Sequence, residues 1–334
     1  MTTRVRNIAD LAKLAGVSAG TVSRALANKS LVNPETRERI QALAREHEFR
    51  PNQMARRLRT QSTRMIGVVI PLGHERRQHL SDPFFMTMIG ALADELTEKG
   101  YDLVLSRVIP DGDDWLDRIV DSGMLDGVIL IGQSNQFAVI ERVAGRYRPL
   151  VAWGSHLDGQ VHCSIGTDNR HGGWIAGQHL IARGARRLAF LGDVEAPEFR
   201  LRFEGLCDAA AAAGLAEPTL FATHLAVEFQ ERDLQTHLGD ITGGYDGLFA
   251  ATDMIAMATL RVLADHGVRV PDDVRLIGYD DLPITGQTVP RLSTIRQDIR
   301  EGAQLMVRAL FARMGGQETA AVQMQPLLIP RDST

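Results

Sequence analysis

Asn7-Ile-Ala-Asp-Leu-Ala-Lys-Leu-Ala-Gly-Val-Ser-Ala-Gly-Thr-Val-Ser-Arg24 is the stretch from which the fold of this chain is read. Ile8, Leu11, Ala12 and Ala15 fall at i, i+3, i+4 and i+7, one face of a helix. Asn7 stands where a capping side chain accepts from the free amides of the first turn. Gly16 ends the helix, because glycine takes a positive φ without steric cost. Ser18 can cap a second helix, Ala19 to about Ala27, whose Val22 and Leu26 face inward. That leaves Ala19, Gly20, Thr21, Ser23 and Arg24 toward solvent. Asn33 caps a third helix with Pro34 at its first position, where a missing N–H costs nothing. Ile40, Leu43 and Ala44 give that helix an apolar stripe. Two helices joined by a tight glycine turn have helix-turn-helix spacing, in which the second helix leads with its N-terminus into the DNA major groove. Ala19 and Gly20 offer only apolar contact or shape there, whereas Arg24 can fork onto a guanine edge or a phosphate. Pattern alone leaves a plain three-helix bundle open.

Charge sharpens the choice. Residues 1–62 hold twelve Lys and Arg against five Asp and Glu, a net of +7, while the remainder carries −11. A basic head on an acidic body points to a polyanion as the partner of the head. The 334 residues suffice for about two domains. Two cysteines, Cys163 and Cys207, build no disulfide framework, and the N-terminus has no long apolar run. A cytoplasmic protein without a membrane segment is expected.

The quoted run closely resembles the head of the LacI/GalR family of bacterial transcription regulators. So do Val32-Asn-Pro-Glu-Thr-Arg-Glu-Arg-Ile40 and Phe49-Arg-Pro-Asn52. The resemblance implies that Ala19, Gly20 and Arg24 read bases, and that Ser18, Thr21, Ser23 and Asn28 mainly hold phosphates. After Pro51-Asn52, the segment Gln53-Met-Ala-Arg-Arg-Leu-Arg59 sets Met54, Ala55 and Leu58 on one face among three arginines. A helix that short is marginal alone and forms when something covers its apolar face. In the resembling family two such hinge helices pair in the minor groove, and a leucine at the position of Leu58 wedges between base pairs. Asn52, Arg56 and Leu58 are the DNA contacts expected of this hinge, and an operator of pseudo-palindromic duplex is the expected partner.

From Met65 onward, strands alternate with helices. Strand runs are Met65-Ile-Gly-Val-Val-Ile-Pro71, 101–106, 127–131, 149–153, 187–191, 247–250 and 274–278, and helical stretches run about 84–99, 169–182, 200–213 and 253–265. Repeated βα units give parallel sheets covered on both faces. They are too many for one small sheet, and two sheets with a ligand crevice between them fit. Asp82-Pro-Phe-Phe85, Gly166-Thr-Asp-Asn169, Ala251-Thr-Asp-Met-Ile-Ala256 and Leu276-Ile-Gly-Tyr-Asp-Asp281 extend the resemblance over the whole chain. It implies an all-α helix-turn-helix head, 1–50, a hinge, 51–62, and an α/β periplasmic-binding-protein-like body, 63–334. The body would comprise two parallel-sheet subdomains, about 63–160 with 293–320 and about 161–292 with 321–334. Crossovers are expected near 156–165, 285–293 and 318–324. No heptad-bearing helix follows the last strand motif, so a homodimer is expected.

A sugar is gripped by carboxylates and amides on its hydroxyls, an arginine fork and an aromatic face. Strand ends supply Asp82, Phe84, Phe85, Trp153, Asp168, Asn169, Arg202, Thr252, Asp253 and Asp280 as candidates for a small-molecule effector. The resemblance implies that Phe84 and Phe85 line the cleft, that Arg202 is the effector-binding arginine and that Asp280 accepts effector hydroxyls. Each has a plainer alternative. Asp168, Asn169, Thr252 and Asp253 could cap helices, Phe84, Phe85 and Trp153 could be core, and Arg202 could be salt-bridged. Many relatives have Asn in place of Thr252 and Asp in place of Gly154. Trp153-Gly154 would then offer a stacking surface suited to a glucoside or small oligosaccharide; a purine corepressor is the alternative.

Signals for catalysis are weak. No G-x-x-x-x-G-K-[ST] loop, G-x-G-x-x-G fingerprint or H-E-x-x-H occurs. His156, His162 and Cys163 lie close, but nothing completes a metal shell. No cofactor, metal or catalytic residue is expected; a sugar-metabolising enzyme with a DNA-binding head is the remote alternative.

Overall fold

The computed structural model describes residues 5, 7–28, 31–49, 62–73, 76–157 and 159–334. The chain divides into two units, Met1–Thr63 and Arg64–Thr334.

The first unit is built from α1 (Ile8–Ala15), α2 (Ala19–Leu26) and α3 (Pro34–Glu46). Its helix starts obey local chemistry. Asn7 Oδ1 accepts from the Asp10 amide at 2.9 Å, Ser18 Oγ from the Thr21 amide at 3.1 Å and Asn33 Oδ1 from the Glu35 amide at 2.9 Å. Gly16 closes α1 with φ 61°. Leu11, Ala15, Val22, Ala25 and Ile40 form the buried core. Arg39 donates to the Ala15 carbonyl at 2.9 Å and so fastens α3 to the end of α1. The expected hinge contacts Asn52, Arg56 and Leu58 lie outside the described residues.

The second unit holds two six-stranded sheets. The first has the order β11-β5-β4-β3-β1-β2, with β1 (Met65–Pro71), β2 (Asp102–Val108), β3 (Gly127–Ile131), β4 (Leu150–Trp153), β5 (Cys163–Thr167) and β11 (Val322–Met324), all parallel. The second has the order β12-β10-β9-β8-β6-β7. Its strands are β6 (Leu188–Leu191), β7 (Thr219–Phe221), β8 (Gly247–Ala250), β9 (Arg275–Asp280), β10 (Ser293–Arg296) and β12 (Leu327–Ile329). Only the β10–β12 pair is antiparallel. Around the first sheet lie α4 (Pro83–Glu98), α5 (Trp115–Val120), α6 (Phe137–Ala144) and α11 (Ile299–Met314); around the second lie α7 (Asn169–Ala182), α8 (Pro197–Ala212), α9 (Val227–Gly244) and α10 (Asp253–Asp265). The central strands β1, β3, β6 and β8 are almost wholly buried, as a parallel sheet covered on both faces requires.

The crossovers lie a few residues further along the chain than expected. The chain leaves the first sheet after Thr167, re-enters that subdomain after Arg296 through α11, and leaves again between Met324 and Leu327. Boundaries at 160/161, 292/293 and 320/321 therefore cut in the wrong places. The free edge of β4 needs a partner, and Cys163-Ser-Ile-Gly-Thr167 supplies it, pairing Val151 with Cys163 and Trp153 with Ile165. β11 covers the next edge, and β10 pairs with β9 in the second sheet.

Candidate functional site

In the first unit, α2 buries Val22 and Ala25 and turns its other face outward. Ser18, Ala19, Gly20, Arg24 and Asn28 are exposed, and Thr21 and Ser23 are half-buried. A Cβ on Gly20 would meet nothing nearer than Ser18 Oγ at 3.7 Å and the Arg24 guanidinium at 3.8 Å, so the backbone here is open to close approach. Asn28, at φ 54°, takes a hydrogen bond from Gln41 Nε2 at 2.8 Å, which ties the end of this exposed face to α3.

In the second unit a cleft of about 700 Å³, mouth included, opens at the carboxyl ends of the strands of both sheets. Asp82, Phe84, Phe85, Trp153, Arg202, Thr252 and Asp280 line it together. Phe84 lies with its ring centroid 5.9 Å from Phe85 and 6.4 Å from Trp153, a largely apolar aromatic wall. Arg202 is 97% shielded from solvent and rigidly held. Its Nε donates to Asn169 Oδ1 at 2.8 Å, its Nη1 to the Ala251 carbonyl at 2.6 Å, and its guanidinium stacks 3.6 Å from the Tyr279 ring centroid.

Three expected effector residues do not line the cleft. Asp168 caps α7, accepting from the His171 amide at 3.0 Å. Asn169 stands behind Arg202 and also donates to Ser155 Oγ at 2.9 Å. Asp253 is fully buried, accepting from Thr294 Oγ1 at 2.6 Å and the Leu282 amide at 2.8 Å, and so binds strand ends together. Thr252 lines the cleft yet spends its hydroxyl capping α10 at Ile255, 3.2 Å away. Arg202 makes no ion pair among the described residues; hydrogen bonds and ring stacking hold it instead.

The cleft also takes in Gln78, Ser134, Ala196, Glu198, Phe199, Leu225, Met254 and Gln297, which sequence reasoning missed. Gln297 carried a usable signal, a polar residue just past a strand; its amide donates to Asp280 Oδ1 at 2.5 Å. At the mouth, His79 Nε2 lies 3.5 Å from Glu228 Oε1 and the Arg77 guanidinium 4.8 Å from the Phe229 ring centroid, so the two subdomains touch there.

Electrostatically the cleft floor is acidic and desolvated. Burial pushes the Asp280 carboxyl up to about 7; the Arg202 charge opposes this and Asp82 reinforces it. Burial, with the Asp280 charge beside it, holds Asp253 well above the ordinary carboxylate range, and burial raises Asp82 against hydrogen bonds from Gln78 and Phe84. A carboxyl raised in the folded state adds stability below its unfolded pKa of about 3.9, and that stability is lost as pH rises through the folded value. Asp280 therefore contributes a fall in stability as pH rises from about 4 to about 7, while His162 and His179, whose protonated forms burial disfavours, contribute a rise over the lower part of that range. Asp280→Asn will remove that fall in urea denaturation followed at each pH. An unchanged slope would mean that Asp280 titrates as it does in the unfolded chain.

His162 and Cys163 each face a different partner. His162 Nδ1 faces Glu141 Oε1 at 2.5 Å, while Cys163 Sγ meets the Thr319 hydroxyl at 3.2 Å. Among the described residues no three potential ligands cluster, and no helix is long and apolar enough to cross a membrane.

Residues 7–52 match the family described as bacterial regulatory proteins, lacI family, and residues 178–334 match a periplasmic binding protein-like domain. The transcriptional regulator CelR of Thermobifida fusca is 30% identical over 329 residues, 94% of this chain and 93% of its own. The chain belongs to the LacI family. The ribose operon repressor of Bacillus subtilis is 29% identical over 98% of both chains. Among solved structures, CelR in complex with cellobiose is 27% identical, with a TM-score of 0.69 over 99% of this chain and all of that one. A lac repressor dimer bound to operator shares the fold, with a TM-score of 0.85 at 24% identity over 99% of both chains. As a LacI-family member the protein is a DNA-binding transcription regulator and not an enzyme.

Proposed function

We propose that this LacI-family protein is a homodimeric repressor of carbohydrate-utilisation genes whose operator affinity is set by a sugar-like effector in the cleft. The observation that carries the reading is the pairing of an aromatic wall, Phe84, Phe85 and Trp153, with Arg202, Asp82 and Asp280 across one desolvated space. Rings cover the C–H face of a pyranose or furanose while charged groups take its hydroxyls. Relatives named for ribose, sucrose and cellobiose support a sugar. Met86, Leu105 and Met124, each at least 40% exposed on the first subdomain, support a partner copy that covers apolar surface. Two heads would then read two half-sites, with Asn52, Arg56 and Leu58 of each hinge contributing at the centre. The effector acts by binding one arrangement of the subdomains more tightly, a coupling of about 1–3 kcal/mol in typical systems.

Fluorescence anisotropy with a duplex from the neighbouring promoter, with and without ribose, sucrose, cellobiose or a purine, tests this. A several-fold change with a sugar is expected; a response to purines alone would overturn the sugar assignment. Arg24→Ala will weaken operator binding about 10- to 100-fold while leaving non-specific duplex within a fewfold, as loss of a base-reading fork does. An equal loss on both duplexes, with a salt slope shallower by about one, would make Arg24 a phosphate contact instead.

A further inference from the structure

Glu198 sits in the first turn of α8, one turn before Arg202, and lines the cleft with it. Its Oε1 accepts from the Ser155 amide at 3.2 Å. A Cβ on Gly154 would come within 2.7 Å of that oxygen and 2.5 Å of Gln133 Nε2. A residue with a side chain at 154 would thus push the carboxylate away, and glycine leaves it room. Ser155 Oγ in turn accepts from Asn169 Nδ2, whose Oδ1 holds Arg202 Nε. Glu198 and Arg202 are therefore tethered to one strand-end loop, an acceptor and a donor side by side. Among the described residues no ion pair joins them and Glu198 Oε2 accepts no hydrogen bond.

We infer that Glu198, given room by Gly154, selects the effector: its carboxylate accepts a hydroxyl of an uncharged saccharide and turns away phosphorylated sugars. The inference rests on the cleft being the effector site. Asp82, Glu198 and Asp280 are acceptors when ionised, and among the described residues Arg202 is the one cation lining the cleft, with two nitrogens already committed. A hydroxyl donor satisfies such a carboxylate, whereas a phosphate ester sets two negative charges against it.

The test is calorimetric titration of the full chain with ribose, cellobiose, ribose 5-phosphate and cellobiose 6-phosphate. Wild type is expected to bind at least one free sugar, and its phosphate ester at least about 100-fold more weakly. Glu198→Gln, which keeps the shape and an acceptor for Ser155, is expected to weaken that sugar about 10- to 100-fold and to narrow the gap to the ester. Gly154→Ala is expected to produce the same loss by displacing the carboxylate, with thermal melting to show that each variant is folded. A sugar bound within twofold by wild type and Glu198→Gln overturns this inference and leaves the sugar-effector reading standing. So does an ester bound as tightly as its parent sugar. No binding by any of the four or by sucrose overturns both.

Discussion

Arg202→Ala will retain operator binding and lose the effector response, with sugar affinity down about 100-fold or more. The size follows from how the side chain is held. Asn169 and the Ala251 carbonyl fix two guanidinium nitrogens and Tyr279 fixes the plane, so the fork is set before ligand arrives and little entropy is lost on binding. Hydrogen bonds from a charged donor are worth about 1.5–3 kcal/mol each, and two of them exceed a hundredfold. Truncation also strands Asn169 Oδ1 and the Ala251 carbonyl, about 1–3 kcal/mol apiece, so the body will melt earlier. Arg202→Lys separates the two effects. It keeps the charge without the planar fork and should recover part of the stability and little of the sugar affinity. Anisotropy on operator and calorimetry with sugar, run on both variants, read this out. Loss of operator binding at unchanged melting temperature would make Arg202 part of the operator-bound state instead.

The same side chain marks how far the sequence could be read. The helix starts at Asn7, Ser18 and Asn33 were legible because a cap acts on an amide two or three residues away. Asp82, Trp153 and Asp280 were legible because βα architecture brings strand ends to one crevice. Asp168 and Asp253 mark where that rule stops. A polar residue after a strand can face a ligand, cap the following helix or bind neighbouring backbone, and its own stretch of sequence reads alike in each case. Glu198 was out of reach, since its role depends on the space left by Gly154, 44 positions earlier and in the other subdomain. β11 and β7, three residues each, are too short to show a period of two. α9 carries Gly239, Gly243 and Gly244, residues that argue against a helix until its buried Leu234 and Ile241 find the second core.

Gly173→Val will destabilise the body by about 3 kcal/mol or more and release the effector site with it. α7 and α8 cross with their backbones in contact. A Cβ at Gly173 would overlap the Arg202 carbonyl, one at Gly205 would overlap the Arg170 carbonyl and lie 2.7 Å from Trp174 N, and one at Gly177 would stand 2.7 Å from Ala209 Cβ. These obstacles are backbone atoms for Gly173 and Gly205, so no rotamer change relieves them and the helices must separate. Overpacking of this kind costs about 1–3 kcal/mol where side chains can shift and more where they cannot. α8 carries Glu198 and Arg202, so its displacement moves acceptor and donor away from Phe84 and Asp280, and sugar affinity must fall together with stability. Gly239→Ala, in α9, is the comparison. Nothing lies within 4 Å of its new Cβ, and an exposed helical glycine replaced by alanine gains about 0.5–1 kcal/mol. Trp115, Trp153 and Trp174 all belong to the body, so urea unfolding followed by tryptophan fluorescence reports on it alone. One glycine substitution should move the midpoint down and the other up. A Gly173 variant that unfolds where wild type does would show that the two helices are held together by something other than the close approach of their backbones.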